Sequence, residues 1–293
     1  MNTVHAGLPH ERDATREVMP WLEVGNLRPS FRWSDLWKAP LHDFPIRDEI
    51  LYQYLPLAAE SDILEVGPGS GFTAFRMARH VRRLTLMDAA PGPLAKLQEQ
   101  LGHLPGLILV CADVTRAGLA ERLGQRFDAV YALDVFEYLA DPATALRNFA
   151  DVLRPQGELF LTYPNVPPPE GDGVTCFARL AELEELLERA GFRRWQVFAV
   201  RLRPYAAAIY RVFHEWPLQL YRQLRRPNRE ARPQTYDATW AFQHQSRLHR
   251  YKLLLHLWWL LVEGVMRLRG DLFTAEPVRD EILGRQLVVR AWR

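Results

Sequence analysis

Short apolar runs alternate with amphipathic stretches along the central part of the chain. The runs cover residues 63–66, 84–87, 107–110, 127–133 and 158–162, and polar or turn-forming residues bound them. Runs of this length predict buried strands, and the stretches between several of them have helical spacing. Because strands that alternate with helices build βαβ units, the pattern predicts an α/β fold with a doubly wound, mostly parallel sheet.

Two of the predicted helices have clear boundaries. Asp141 is a suitable N-cap, Pro142 fits the first turn, and apolar residues share one face of the stretch that follows. The second helix runs from about Leu180 to Ala190, and Gly191 provides its C-terminal turn. Residues 195–200 and 287–292 are two further apolar runs, which bring the predicted sheet to seven strands.

Four segments follow from this assignment. Residues 1–50 form an N-terminal helical cap, residues 51–200 a nucleotide-binding α/β domain, residues 201–285 a helical insertion, and residues 286–293 the last strand. Ligands of open α/β sheets bind outside the carboxyl ends of the strands. We therefore expect the two appended segments to form the substrate pocket and its lid.

A glycine-rich turn follows the first strand. Residues 61–74 read Ser-Asp-Ile-Leu-Glu-Val-Gly-Pro-Gly-Ser-Gly-Phe-Thr-Ala, so that Gly67, Gly69 and Gly71 connect a buried strand to a helix. Glycine permits backbone angles and close approaches that a Cβ atom forbids. The dinucleotide fingerprint needs a small residue at position 72, where this chain has Phe72, and its third glycine comes one residue early. The spacing therefore indicates a nucleotide site without a pyrophosphate clamp.

The Glu-x-Gly-x-Gly-x-Gly sequence resembles motif I of class I S-adenosylmethionine-dependent methyltransferases. The resemblance extends over roughly residues 50–200 and the last strand, with acidic residues Asp88 and Asp113 after the second and third strands. It implies a Rossmann-like methyltransferase fold whose last strand lies antiparallel beside the fifth, and S-adenosylmethionine as the cofactor. Within this class, the chain resembles the broad branch that contains the ubiquinone- and menaquinone-biosynthesis and small-molecule methyltransferases.

The resemblance also implies a role for each residue along the cofactor. Glu65 and the three glycines hold its methionine end, Asp88 with Ala89 takes the ribose, and Asp113 with Val114 takes the adenine. Leu133 and Asp134 lie beside the sulfonium. Many relatives carry Glu-His after the fourth strand, where this chain has Glu137-Tyr138. We therefore predict no metal site.

The chemistry of the acceptor is less defined by the sequence. A hydroxyl acceptor needs a base, and histidine is the usual choice. The candidates are His214, His42 and Tyr163, with His244 as a further histidine. For each of them a surface or structural role is the alternative.

The insertion differs from the rest of the chain in its charge. Between residues 201 and 269, thirteen lysines and arginines stand against four acidic residues, whereas the whole chain carries a net charge of +2. A helix predicted at about 206–224 places Ile209, Phe213, Trp216, Leu220 and Leu224 on one face. At helical spacing, residues 251–268 are apolar except for one narrow stripe, which consists of Lys252, His256, Glu263 and Arg267. Three interpretations remain open: a packed lid, a surface that binds an anionic membrane, and a dimer contact. Nucleic acid is disfavoured, since no binding motif accompanies the arginines.

These observations predict an S-adenosylmethionine-dependent methyltransferase that acts on an O, N or C atom of a large apolar or lipid-linked small molecule. The alternatives are a natural-product or sugar methyltransferase with a helical lid, and a non-catalytic interaction module. Two cysteines are too few for a disulfide framework, and the first residues lack an apolar signal segment. The expected location is the cytoplasm, with a peripheral position at the inner face of the membrane as the alternative. The oligomeric state is left open.

Overall fold

A computed structural model describes residues 59–165 except 70 and 79, residues 175–216, residues 273–293, and residues 257 and 261. These residues form an eight-stranded sheet in the order β3-β2-β1-β4-β5-β8-β6-β7. The strands are β1 Asp62–Val66, β2 Arg83–Asp88, β3 Leu107–Cys111, β4 Phe127–Leu133, β5 Leu153–Asn165, β6 Arg194–Leu202, β7 Phe273–Pro277 and β8 Arg285–Trp292.

The first five strands are parallel, and the last three are antiparallel to their neighbours. Strand β8 lies between β5 and β6, with Leu161 opposite Val289, which confirms the predicted position of the last strand. The mostly parallel α/β sheet is therefore as the sequence predicts.

The structure adds an eighth strand to the seven that the sequence predicts. Strand β7 pairs with β6 at the edge of the sheet, inside the range 201–285 that the sequence assigns to a helical insertion. Its sequence, Phe-Thr-Ala-Glu-Pro, is short and ends in proline, a residue that edge strands tolerate. Phe273 and Ala275 pack against the core, and this burial stabilises a strand whose local pattern is weak.

Helices cover both faces of the sheet. They are α1 Phe72–Met77, α2 Pro91–Leu101, α3 Leu119–Leu123, α4 Pro142–Val152, α5 Leu180–Arg189 and α6 Pro204–Tyr210, with a 3₁₀ turn at Phe136–Tyr138 and a π-helical turn at Arg211–Glu215. One core contains apolar residues of α1 and α2, and the other contains residues of α3, α4 and α5. This arrangement is the doubly wound one.

The helix starts follow from local sequence in the way expected. The Asp141 carboxylate accepts a hydrogen bond from the Thr144 backbone N–H at 2.9 Å, and Pro142 occupies the first turn of α4. Helix α4 passes directly into β5 at Leu153, so this strand begins before the predicted run 158–162 and carries a bulge in its pairing with β4. Gln156 adopts a positive φ of 66° in this bulge.

Two polar clusters fasten the last strands to the rest of the sheet. Arg290 on β8 makes a bidentate pair with Glu158 on β5, at 2.6 and 3.1 Å, and both side chains are almost fully buried. Asn165, at the end of β5, donates from Nδ2 to the carbonyls of Phe177 and Ile282 and accepts from the Phe177 N–H, each at 2.8 Å. Asn165 thereby joins the segments at 177 and 282 beside the carboxyl end of β5.

The insertion is described only in part. Its first helix begins at Pro204, and its buried residues are Ala206 and Tyr210. Phe213 and Trp216, which the sequence places on one apolar face, are 39% and 57% exposed. The predicted cap at residues 1–50, residues 217–256 and most of 258–272 lie outside the described residues. No helix in the described part of the chain is long and apolar enough to cross a bilayer.

Candidate functional site

The sequence-predicted cofactor residues lie in a row at one edge of the sheet. Strands β3, β2, β1 and β4 are adjacent and parallel, so the residues that follow them meet at the carboxyl edge. This order brings Asp113, Asp88, the glycine turn and Asp134 side by side. Neighbouring strands are about 4.8 Å apart, and the row is therefore about 14 Å long.

The three glycines share a left-handed backbone but have different surroundings. Gly67 and Gly71 have φ angles of 65° and 76°, and a Cβ atom on them would lie 2.5 Å from Val135 Cγ2 and 2.4 Å from Leu97 Cδ2. Gly69 has a φ of 54°, and no atom of the described residues lies within 4 Å of its Cβ position. Two of the glycines therefore permit close packing, whereas Gly69 borders open space.

Glu65 lies on β1, directly before this turn. Its side chain is only 3% exposed, so the sheet edge holds a buried carboxylate two residues from Gly67. The Gly67 N–H donates to the Met87 carbonyl at 2.9 Å, which fixes the start of the turn against β2.

Asp88 ends β2 with its carboxylate partly buried. Its Oδ1 accepts a hydrogen bond from the Ala90 N–H at 2.8 Å. Burial raises the pKa of Asp88 above its ordinary value, and hydrogen bonds from the Ala90 and Ala89 backbones oppose part of this rise. Ala89 is exposed, and its carbonyl accepts a hydrogen bond from the Cys111 thiol at 3.7 Å. The site therefore presents a carboxylate acceptor next to the glycine turn.

Asp113 and Val114 follow β3 at the outer end of the row. Asp113 Oδ1 accepts from the Thr115 hydroxyl at 2.7 Å and from the Thr115 N–H at 2.8 Å. The Thr115 hydrogen bonds lower the pKa of Asp113, so that it stays ionised. The Val114 side chain is buried in the core, and its carbonyl accepts from Asn148 Nδ2 at 2.6 Å. Val114 therefore anchors the loop after β3 to the core.

Asp134 follows β4 and is held by two residues that the sequence analysis missed. Its φ of 51° is unusual for a residue other than glycine. Its Oδ1 accepts from the Thr162 hydroxyl at 3.2 Å and from Gln286 Nε2 at 3.1 Å, and its N–H donates to the Thr162 carbonyl at 2.7 Å. Leu133, the preceding residue, packs against the core. Only the pairing of β8 with β5 brings Gln286 to this place, and no local motif marks it.

Tyr163 is the one candidate base whose side chain the structure describes. It is fully buried on β5, with the rings of Phe136 and Phe177 at 5.4 and 6.5 Å. Burial, and then the charge of Glu137, raise the pKa of its phenol far above the ordinary value of 10.0. The phenol therefore remains protonated at neutral pH, which opposes a role as general base.

The candidate histidines are not placed by the structure. His42 and His244 lie outside the described residues, and so does the side chain of His214, whose backbone belongs to the π-helical turn after α6. Their catalytic roles stay predictions. In the described part of the chain, no three His, Cys, Asp or Glu side chains gather as metal ligands. Tyr138, which follows Glu137 in this chain, is half exposed.

A family model described as a methyltransferase domain matches residues 64–159, the range from β1 into β5 that contains the whole row. The chain carries a class I S-adenosylmethionine-dependent methyltransferase domain. The cofactor of this class is S-adenosylmethionine, as motif I predicts.

Known proteins with related sequences share this domain. The methyltransferase domain is similar to the ubiquinone biosynthesis O-methyltransferase of Pseudomonas entomophila, with 31% identity over 131 residues, which are 44% of this chain and 55% of that protein. The corresponding protein of Stutzerimonas stutzeri is 28% identical over 130 residues, with the same coverage. The chain thus spans about half the length of the curated relatives it matches.

A solved structure shows the same fold around the methyltransferase domain. The phosphoethanolamine N-methyltransferase 2 of Haemonchus contortus, in complex with phosphomonomethylethanolamine and S-adenosylhomocysteine, aligns with a TM-score of 0.53 at 14% identity. The alignment covers 87% of this chain and 53% of that one. At this identity the likeness concerns the fold alone.

Proposed function

We propose that this protein transfers a methyl group from S-adenosylmethionine to a hydroxyl oxygen on a large apolar acceptor. The observation that carries the proposal is the open space at Gly69 beside the partly buried carboxylate of Asp88. A nucleoside cofactor needs both features. Its ribose hydroxyls require a hydrogen-bond acceptor, and the group attached to the ribose needs a close approach to the protein backbone.

The row at the carboxyl edge fits the cofactor in order. Asp113 would meet the adenine, Asp88 the ribose, and the turn with Gly69 the methionine part, so that the reactive methyl would come close to Asp134. The sulfonium supplies an activated methyl group when the cofactor is bound. The protein then has to align the acceptor with that methyl and exclude water, an orientation effect worth several kcal/mol.

Two observations support an apolar acceptor. The relatives named as ubiquinone biosynthesis O-methyltransferases suggest oxygen as the methylated atom and a quinone-like ring as its carrier. The stretch after α6 exposes Val212, Phe213 and Trp216 beside the exposed Arg211. An apolar and basic surface of this kind suits a lipid-linked molecule at an anionic membrane. On this proposal the protein works at the cytoplasmic face of such a membrane.

The first experiment tests the cofactor site. Calorimetry with S-adenosylhomocysteine is expected to give micromolar-order binding to the wild type and a loss of about 1–3 kcal/mol in Asp88→Ala, because the ribose hydroxyls lose their acceptor. Asp151→Ala, the same change at an exposed residue of α4, is the control and should bind as the wild type does. No binding to the wild type would favour the non-catalytic interaction module instead.

The second experiment tests the acceptor class and the membrane. The wild type is incubated with labelled S-adenosylmethionine and a long-chain alkylcatechol, in vesicles that contain either anionic or only zwitterionic lipids. We expect methylation and sedimentation with the anionic vesicles, and weaker sedimentation of the double variant Phe213→Ala/Trp216→Ala. Ile108→Ala, which changes an exposed apolar residue on the outer strand β3, is the control. Methylation without sedimentation would favour the natural-product or sugar methyltransferase with a simple lid.

A further inference from the structure

The hydroxyl group of Tyr163 is buried without a hydrogen-bond partner among the residues that the structure describes. Buried hydroxyl groups in folded proteins are nearly always paired, and an unpaired one lowers stability relative to an apolar group of the same shape. Phenylalanine would fill the same space, because the rings of Phe136 and Phe177 enclose the phenol ring. Packing therefore explains the ring of Tyr163 and leaves its hydroxyl unexplained.

The position of the hydroxyl relates it to the methyl-transfer site. Tyr163 directly follows Thr162, whose hydroxyl holds the Asp134 carboxylate at the end of β4. Its ring contacts Phe136, which lies two residues after Asp134. The Thr175 N–H donates to the Glu137 carbonyl at 2.8 Å, which joins the segment after β5 to the segment after β4. The side chain of Tyr163 therefore packs between the segments that follow β4 and β5, at the sheet edge that also carries Asp134.

The chemistry of the surroundings defines what the hydroxyl can bind. Burial, and then the negative charge of Glu137, raise the pKa of the phenol, so that it stays protonated and can donate a hydrogen bond to a lone pair. Cys176, which also raises this pKa, is partly exposed to solvent. A neutral donor in an aromatic cage suits an uncharged oxygen on an apolar ring.

We propose that the Tyr163 hydroxyl is an acceptor-binding group, which donates a hydrogen bond to an oxygen of the molecule that is methylated. The inference rests on the proposed function and adds a specificity-determining residue to it. It assigns the hydroxyl to recognition of the acceptor rather than of the cofactor. Oxygen-bearing aromatic acceptors are the class that this donor selects.

The test compares Tyr163→Phe with a matched variant, Tyr131→Phe. Tyr131 is equally buried, but its hydroxyl contacts Met77 Sδ at 3.2 Å. We expect Tyr163→Phe to unfold at the same or a higher urea concentration than the wild type, and Tyr131→Phe at a lower one. With the alkylcatechol, Tyr163→Phe should raise KM roughly tenfold, the factor that one neutral hydrogen bond contributes, while Tyr131→Phe leaves KM unchanged. Neither change should alter the affinity for S-adenosylhomocysteine.

The outcomes of this comparison that would overturn the inference are the following. A lower unfolding midpoint for Tyr163→Phe would show that the hydroxyl has a partner in the protein, and would overturn the inference. Unchanged KM and kcat with an acceptor that the wild type methylates would overturn it as well. If the wild type methylates no acceptor or binds no S-adenosylhomocysteine, the proposed function fails, and the unfolding comparison still decides whether the hydroxyl is paired.

Discussion

Alanine substitutions in the glycine turn are expected to separate folding from cofactor binding. Gly69 and Gly71 both have positive φ angles, of 54° and 76°. A Cβ atom at position 71 would lie 2.4 Å from Leu97 Cδ2 and 2.7 Å from Leu101 Cδ1, whereas position 69 has no described atom within 4 Å. Both substitutions therefore put an alanine into a left-handed backbone conformation, and only Gly71→Ala also creates a steric clash.

The magnitudes follow from these distances. The left-handed backbone costs an alanine about 1–2 kcal/mol at either position. Gly71→Ala adds an overpacking cost of about 1–3 kcal/mol, because Leu97 and Leu101 are fully buried and have little space to move. We expect a total loss of about 2–5 kcal/mol in the free energy of unfolding for Gly71→Ala, and only about 1–2 kcal/mol for Gly69→Ala.

The assay measures urea unfolding and S-adenosylhomocysteine binding for each variant. Gly124→Ala is the control, since Gly124 has a φ of 61° and no described atom within 4 Å of its Cβ position. It precedes β4 and so lies at the opposite edge of the sheet. Gly69→Ala should match Gly124→Ala in stability but bind the ligand at least about tenfold more weakly, because its methyl group fills the space for the cofactor. Wild-type affinity in Gly69→Ala would refute this reasoning.

Three further predictions concern charge and buried polar groups. Burial raises the pKa of Asp88 above 3.8, so the affinity for S-adenosylhomocysteine should fall as the pH drops through this raised pKa, while the contribution of Asp88 to folding stability improves. Calorimetry and urea unfolding of the wild type and of Asp88→Asn across pH measure both effects, and the same pH dependence in the two proteins would contradict the prediction. Arg290→Met should cost about 3–5 kcal/mol by leaving Glu158 buried and unpaired, and adding Glu158→Leu should recover much of it in chemical denaturation. Asn165→Ala removes three hydrogen bonds and should lower the unfolding free energy by at least about 2 kcal/mol, with little change expected for the exposed Asp151→Ala.

Much of the fold could be predicted because its signals are local. The apolar runs 63–66 and 127–133 became β1 and β4, since a buried strand requires only a few apolar residues between polar ones. Asp141 and Pro142 marked the start of α4 for the same reason, because a helix cap depends on the residues next to it. The segment at 273–277 was missed, since its strand depends on pairing with β6 rather than on its own pattern.

The order of residues in the sequence likewise determined the row of Asp113, Asp88, the glycine turn and Asp134. Parallel strands with known neighbours carry the residues after them to one edge, so a reading along the chain is enough to place them. A positive φ at the turn was also a local expectation, and all three glycines have it. The sequence by itself thus determined the class of fold and the position of the predicted cofactor residues in the row.

Only the tertiary structure decided what each of these residues contacts. Gln286 reaches Asp134 across 152 positions of the chain, because β8 pairs with β5 in one particular register. Packing against Val135 and Leu97 distinguishes Gly67 and Gly71 from Gly69, although the motif treats all three alike. Burial raises the pKa of Tyr163, which opposes its predicted role as a base. Contacts, burial and pKa depend on which distant segments meet, and this information is absent from any local pattern of residues.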